Sequence, residues 1–134
     1  MHHPSLSAFL KKAPTVLKPK GPYAIVLLED AVEVDSTIAH CLKAGFSEVF
    51  VFGNADLHPQ EHEAFHLITY DMHQTGSLTE VVNAVIGICA GQWLHYCYNS
   101  EYLYFPFCET RNVRELVAFN MEERRDTIMT YVID

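Results

Sequence analysis

The 134-residue sequence lacks three short motifs that are common in nucleotide-binding and hydrolytic enzymes. It contains no G-x-x-x-x-G-K-[ST] P-loop, no G-x-G-x-x-G dinucleotide fingerprint and no G-x-S-x-G nucleophile elbow. The first two motifs supply backbone groups that cradle phosphate. Any phosphate bound by this protein must therefore be held by a metal ion and by other backbone groups.

Basic side chains and long apolar runs are also scarce. The sequence has nine Lys and Arg residues and 17 Asp and Glu residues, which gives a formal net charge of -8. Nucleic acid and anionic membranes need clustered Lys and Arg, so we expect neither as a partner. The longest apolar candidate, residues 81–90, is about half of the roughly 20 residues that span a membrane. Residues 1–22 lack the apolar centre of a signal peptide, which favours a cytoplasmic protein.

The four cysteines form no C-x-x-C pair. The chain is 49% hydrophobic, which is enough to build a core without disulfides. We therefore expect buried reduced thiols and one domain.

The sequence divides at its proline-rich start. Residues 1–22 hold four of the six prolines and four of the lysines. They are predicted to be a leader and linker with one short helix over 6–12 and no core of their own. Residues 23–134 are predicted to form a single α/β domain.

Strand and helix patterns alternate through that domain. Continuous aliphatic and aromatic runs predict strands over 24–28, 49–52 and 66–70 and a fourth beginning at Trp93. Helical spacing predicts helices over 34–44, 77–91, 112–119 and 121–134. Gly45 is predicted to end the first helix, Ser77 or Thr79 to cap the second, and Asn112 with Glu115 to form a capping box at the start of the third. This alternation predicts a three-layer, Rossmann-like α/β sandwich with a mainly parallel sheet of at least four strands. The expected strand order, 3-2-1-4, puts a topological switch point between the first and fourth strands.

Polar residues follow the first three predicted strands, where open α/β sheets bind their ligands. Glu29 and Asp30 follow the first strand, Asn54 and Asp56 the second, and Asp71 the third. We predict that they form a ligand-binding edge. These residue types are also common in turns and at helix N-termini, so a purely structural role stays open.

A polar cluster follows the fourth strand as well. Asn99 and Glu101 offer two oxygen donors, which suits a hard cation such as Mg²⁺ or Mn²⁺. We predict a metal site there, with a surface turn as the alternative. His58, His62 and His66 recur every fourth residue, a zinc-like spacing on a helix, but Pro59 favours a loop.

Residues 23–134 resemble the nucleotide-binding half of family 2 glycosyltransferases, which have the GT-A fold. The resemblance rests on the ends of three strands: residues 28–31 (Leu-Glu-Asp-Ala), 53–56 (Gly-Asn-Ala-Asp) and 93–103, which begin with Trp and end in Asn-Ser-Glu-Tyr-Leu. The last segment occupies the position of the family's Asp-x-Asp motif. Asn99 replaces the first carboxylate of that motif.

The resemblance implies sugar transfer from a nucleotide diphosphate sugar, with weakly bound, nucleotide-assisted Mg²⁺ or Mn²⁺ on the pyrophosphate. Glu101 would be the main metal ligand and Asn99 a neutral one. The residues that line the uridine or ribose side would be Asp30, Asn54, Asp56 and Asp71. The acceptor and the catalytic base stay unassigned, because the family's acceptor half lies beyond this segment. The chain would then be a fragment or a degenerate relative.

Two other functions are compatible with the sequence. One is a response-regulator receiver domain, with Asp71 as phosphoacceptor and Glu29 and Asp30 on Mg²⁺. Against this function, no lysine follows the last predicted strand, because the last lysine in the sequence is Lys43. The other is a non-catalytic interaction domain whose aromatic segment 96–107 forms a homodimer face.

Overall fold

A five-stranded parallel sheet lies at the centre of the fold, within the part of the chain that the structure describes. The structure is a computed structural model that describes residues 1–54, 65–128 and 130–133, with only the backbone of 131–133. The strands are β1 (His2–His3), β2 (Tyr23–Leu27), β3 (Glu48–Gly53), β4 (Phe65–Thr69), β5 (Leu94–Tyr98), β6 (Tyr102–Tyr104) and β7 (Tyr131–Ile133). The helices are α1 (Leu6–Val16), α2 (Val34–Ala44), α3 (Ser77–Ile88) and α4 (Val113–Glu122).

The order of the sheet is β1-β4-β3-β2-β5. It differs from the predicted 3-2-1-4 because an additional strand, β1, pairs with the outer edge of β4. The four strands expected from the sequence are β4, β3, β2 and β5 in that spatial order. Leu27 at the end of β2 is in register with Phe52 on β3 and Tyr98 on β5, so these strands end at one level.

The N-terminal residues differ from the predicted leader because they belong to the sheet and its core. The predicted short helix is present and continues to Val16, with the Ser5 hydroxyl accepting the Ala8 N–H at 3.1 Å. The Phe9 side chain is fully buried and its ring lies 5.3 Å from that of Phe50, centroid to centroid. An edge strand has unpaired backbone groups, and β1 satisfies those of β4.

Helices cover both faces of the sheet. One core cluster packs α1 and α3 against Ile25, Phe50 and Ile68. The other packs α2 and α4 against Val26 and Val51. All residues of β2 and β3 are buried, which explains their continuous apolar runs and confirms a three-layer α/β arrangement.

Two of the predicted helix signals are confirmed and one is wrong. Helix α2 stops at Gly45, whose φ of 106° is the left-handed conformation that favours glycine. Asn112 and Glu115 form the predicted capping box of α4. The expected Ser or Thr cap of α3 is wrong, because Gly76 precedes the helix and the Ser77 hydroxyl donates to a backbone carbonyl instead.

The predicted helix over 121–134 is wrong. Helix α4 ends at Glu122, and the following turn has Arg124 at a φ of 59°. The Arg125 N–H donates to the Asn120 carbonyl at 2.8 Å and the Arg124 N–H to Met121 at 3.0 Å, a Schellman arrangement that closes a helix. The chain then forms β7, which pairs antiparallel with β6.

All four cysteines are free thiols: Cys41, Cys89 and Cys97 are buried and Cys108 is half-buried. Among the described residues, none of the helices has the length and apolar character needed to cross a membrane.

Candidate functional site

The residues predicted to bind a ligand lie along the carboxyl edge of the sheet. Adjacent strands are about 4.8 Å apart, so the ends of β2 and β5 are direct neighbours. Glu29 and Asp30 follow β2, and Asn99 and Glu101 follow β5. We call these four residues the β2–β5 junction. It lies at the topological switch point, because the chain runs from β2 to β3 on one side and returns to β5 on the other.

Asn99 connects the two sides of the junction. Its side-chain carbonyl accepts the Glu29 N–H at 2.9 Å. Its amide donates to Asp30 Oδ1 at 2.6 Å and to the Val32 carbonyl at 2.9 Å. The side chain is buried, so the segment after β5 is fixed to the loop after β2.

Glu101 is held by a tight turn that reverses the chain after β5. Its Oε1 accepts the Tyr98 N–H at 2.6 Å, and its own N–H donates to the Tyr98 carbonyl at 3.3 Å. Ser100 has a φ of 63°. In the described part of the chain, Glu101 Oε2 has no hydrogen-bond partner.

The junction carries negative charge. Glu29 and Asp30 are exposed and Glu101 is half-buried. Burial, followed by the negative charges of Glu29 and Glu101, raises the pKa of the Tyr98 phenol above its ordinary value. A negative potential of this kind favours a cation over a free anion.

Helix α2 supplies contacts that the sequence analysis missed. The Ser100 N–H donates to the Thr37 hydroxyl at 2.8 Å, and the Ser36 hydroxyl lies 2.6 Å from that of Tyr102. His40 Nε2 lies 3.1 Å from both the N–H and the carbonyl oxygen of Leu103. Polar residues at 33, 36, 37 and 40 have the spacing of one helix face, and that stripe was the available signal.

The other predicted residues lie away from the junction. Asn54 follows β3 and is exposed. Asp71 follows β4, roughly 10 Å or two strand spacings from the end of β2, and its Oδ1 accepts the His73 N–H at 3.0 Å. Asp56 lies outside the described residues, as do His58 and His62.

His66 belongs to a buried cluster beneath α1. Its Nε2 lies 2.9 Å from Glu48 Oε2, and its Nδ1 lies 3.1 Å from His3 Nε2. All three side chains are buried. This cluster is near the amino ends of β3 and β4, whereas the junction is at the carboxyl ends of β2 and β5.

Two cavities are also separate from the junction. One of about 590 Å³ opens beside Trp93 and His95 and is lined by α4. Another of about 770 Å³ lies between α4 and the exposed Phe107. Neither is lined by a residue of the junction.

Comparisons with family models, curated proteins and solved structures found no match. The functional interpretation therefore rests on the geometry of the junction. Within residues 1–54, 65–128 and 130–133, no group of three or more His, Cys, Asp or Glu side chains is arranged to hold a metal ion.

Proposed function

We propose that this protein binds a nucleotide diphosphate sugar at the β2–β5 junction, as the donor-binding part of a family 2-like glycosyltransferase with the GT-A fold. The observation that carries the proposal is the meeting of Asp30, Asn99 and Glu101 at the switch point of a parallel sheet. Open α/β sheets bind ligands in the crevice at this position. The resemblance of residues 93–103 to the family's metal-binding segment is the second support.

The proposed cation is Mg²⁺ or Mn²⁺, held with the help of the nucleotide. Glu101 has one carboxylate oxygen free, whereas the Asn99 carbonyl already accepts a hydrogen bond. Mg²⁺ is commonly bound by one or two carboxylates together with substrate phosphates, so this small donor set fits a metal that arrives with the diphosphate. A bound cation would offset the charge of the departing nucleotide.

In this proposal Asp30 faces the nucleoside, with Asn54 and Asp71 further along the same edge. Asp56 is assigned to the nucleoside by the family resemblance alone. The four free thiols support a reducing, cytoplasmic location.

The receiver alternative fits the strand order less well. In a receiver sheet, which has the order 2-1-3-4-5, the first and third strands are adjacent. The strands that would correspond to them here are β2 and β4. Strand β3 lies between these two and so separates Asp30 from Asp71.

The proposal is tested by thermal unfolding with uridine, guanosine and adenosine diphosphates, each with and without Mn²⁺. A ligand at 100 times its Kd stabilises the folded state by about 2.7 kcal/mol. We expect Mn²⁺-dependent stabilisation by uridine diphosphate. Glu101→Gln should abolish the Mn²⁺ dependence without unfolding the protein, because the Gln carbonyl can still accept the Tyr98 N–H.

Glu122→Gln is the matched control, because it removes the same charge from an exposed position on α4. It should respond to nucleotide as the wild type does. If none of the three diphosphates stabilises the wild type, the proposal fails. The interaction-domain alternative would then be preferred, since Tyr96, Tyr104 and Phe107 are exposed aromatic residues.

A further inference from the structure

The side chain of Asn99 satisfies three separate groups of the loop after β2. It is 6% exposed, and its partners lie 67 to 70 residues away in the sequence. The backbone N–H of Asn99 also donates to the Leu27 carbonyl at 3.1 Å. One residue after β5 therefore determines the position of residues 29–32.

These contacts need a neutral carboxamide. The loop presents one N–H donor, from Glu29, and two acceptors, the Asp30 carboxylate and the Val32 carbonyl. An asparagine supplies one acceptor and two donors, whereas an ionised aspartate only accepts. An aspartate at 99 would bring two carboxylates together where the present contact is 2.6 Å.

The surrounding contacts extend the same connection to α2. The Ser100 N–H donates to the buried Thr37 hydroxyl, and that hydroxyl donates to the Glu33 carbonyl at 2.6 Å. Glu33 and Ser100 have φ values of 53° and 63°, which non-glycine residues adopt rarely. Such conformations persist when their surroundings fix them. The loop after β2, the start of α2 and the turn after β5 thus form one hydrogen-bonded unit.

We infer that Asn99 is a positioning residue of the donor site, which holds the Asp30 carboxylate and the backbone of residues 29–32 in their binding geometry and does not ligate the metal. This inference rests on the proposed function. Asp30 Oδ1 is fixed by Asn99 and by the Val32 N–H at 2.9 Å, so the direction of Oδ2 is fixed as well. A carboxylate that is already held in its binding orientation loses little side-chain entropy when a ligand binds.

Replacing Asn99 by aspartate separates the two roles. If Asn99 were a metal ligand, Asn99→Asp would add a charge to the cation site and tighten Mn²⁺-dependent binding of uridine diphosphate. A positioning role predicts the opposite: affinity about tenfold or more weaker, because hydrogen bonds to a charged group are lost. Calorimetry at 10 °C with Mn²⁺ and uridine diphosphate measures this change in folded protein.

A double variant, Asp30→Asn with Asn99→Asp, exchanges the amide and the carboxylate across their hydrogen bond. In the wild type, Asp30 Oδ1 accepts both the Asn99 amide and the Val32 N–H. The amide introduced by Asp30→Asn can donate to the carboxylate introduced by Asn99→Asp, but the Val32 N–H then loses its acceptor. The affinity of the double variant should therefore lie between those of Asn99→Asp and Asp30→Asn, because only the contact between two carboxylates is relieved. The backbone amide NMR signal of Glu29 should move in Asn99→Asp and return toward its wild-type position in the double variant.

Asn83→Asp is the matched control, because Asn83 is exposed on α3, and it should change neither affinity nor this signal. Equal or tighter binding by Asn99→Asp would overturn the inference. If Asn99→Asp does not fold, the double variant decides: a folded double variant that binds supports the pairing of residues 30 and 99, and one that fails to fold or to bind refutes it. Absence of binding by the wild type would instead refute the proposed function, whatever the variants do.

Discussion

Acidification should destabilise this fold through His3, whose side chain is 1% exposed. Its ring packs edge-on against Phe9 at a centroid distance of 5.0 Å. An ionised Glu48 only accepts hydrogen bonds, so His66 donates to it from Nε2 and accepts from His3 at Nδ1. His3 Nδ1 is then a buried acceptor that has no partner in the described part of the chain. Protonating it would bury an additional charge.

The pKa of His3 is lowered from 6.5 to about 4, first by burial and then by Coulomb interactions with His66, the N-terminal amine and Lys12. The unfolded chain therefore binds this proton at a higher pH than the folded protein does. The free energy of unfolding is unaffected above pH 6.5, falls as the pH drops from 6.5 to about 4, and is affected no further below that. With 1.36 kcal/mol for each pKa unit, the loss between pH 7.5 and 4.5 is roughly 2–3 kcal/mol.

Urea unfolding at four pH values from 7.5 to 4.5 measures this loss. His3→Gln keeps an N–H donor for His66 but cannot titrate, so the wild type should lose roughly 2–3 kcal/mol more than the variant over that range. His73→Gln is the control, because His73 is exposed, and it should follow the wild type. Parallel loss of stability in the wild type and His3→Gln would mean that His3 does not cause the pH dependence.

Two further changes test the packing of the sheet. A Cβ at Gly53 would lie 2.8 Å from the Leu28 Cβ, so Gly53→Ala should lower the free energy of unfolding by about 1–3 kcal/mol in urea titrations. Gly87→Ala has nothing within 4 Å and should stabilise α3 by about 0.5–1 kcal/mol; the reverse order of the two variants would contradict the geometry. Phe9→Ala should cost about 3–5 kcal/mol by thermal or urea unfolding, whereas a cost below 1 kcal/mol would mean that α1 is not part of the core.

The central elements could be predicted because their signals are local. Residues 24–28 and 49–52 are buried on both faces, and such strands must be apolar throughout. Gly45 and the pair Asn112 and Glu115 mark helix ends through contacts only a few residues long. The carboxyl edge of the sheet followed from the parallel pairing, so the neighbouring positions of Glu29 and Asn99 could be anticipated.

The misses concern contacts between distant segments. The first strand of the sheet has two residues, too few for a periodic pattern, and it forms because β4 has an open edge. Residues 131–133 form a strand because 102–104 lie beside them, although the spacing after Met121 suggested a helix. A pattern of side chains shows which face of a segment is apolar, but it does not show which other segment packs or pairs with it.

The sequence by itself determined the α/β class, the parallel strands and the edge on which polar side chains gather, because these depend on burial and on neighbouring residues. Only the tertiary structure decided what the polar side chains do. Asn99 is a residue type that can bind a metal ion through its side-chain oxygen. Its side chain instead makes three hydrogen bonds to a loop about 70 residues earlier in the chain. His66 belonged to a zinc-like spacing, but it is buried between His3 and Glu48. Hydrogen-bond partners depend on distances of about 3 Å, and folding alone sets these between remote segments.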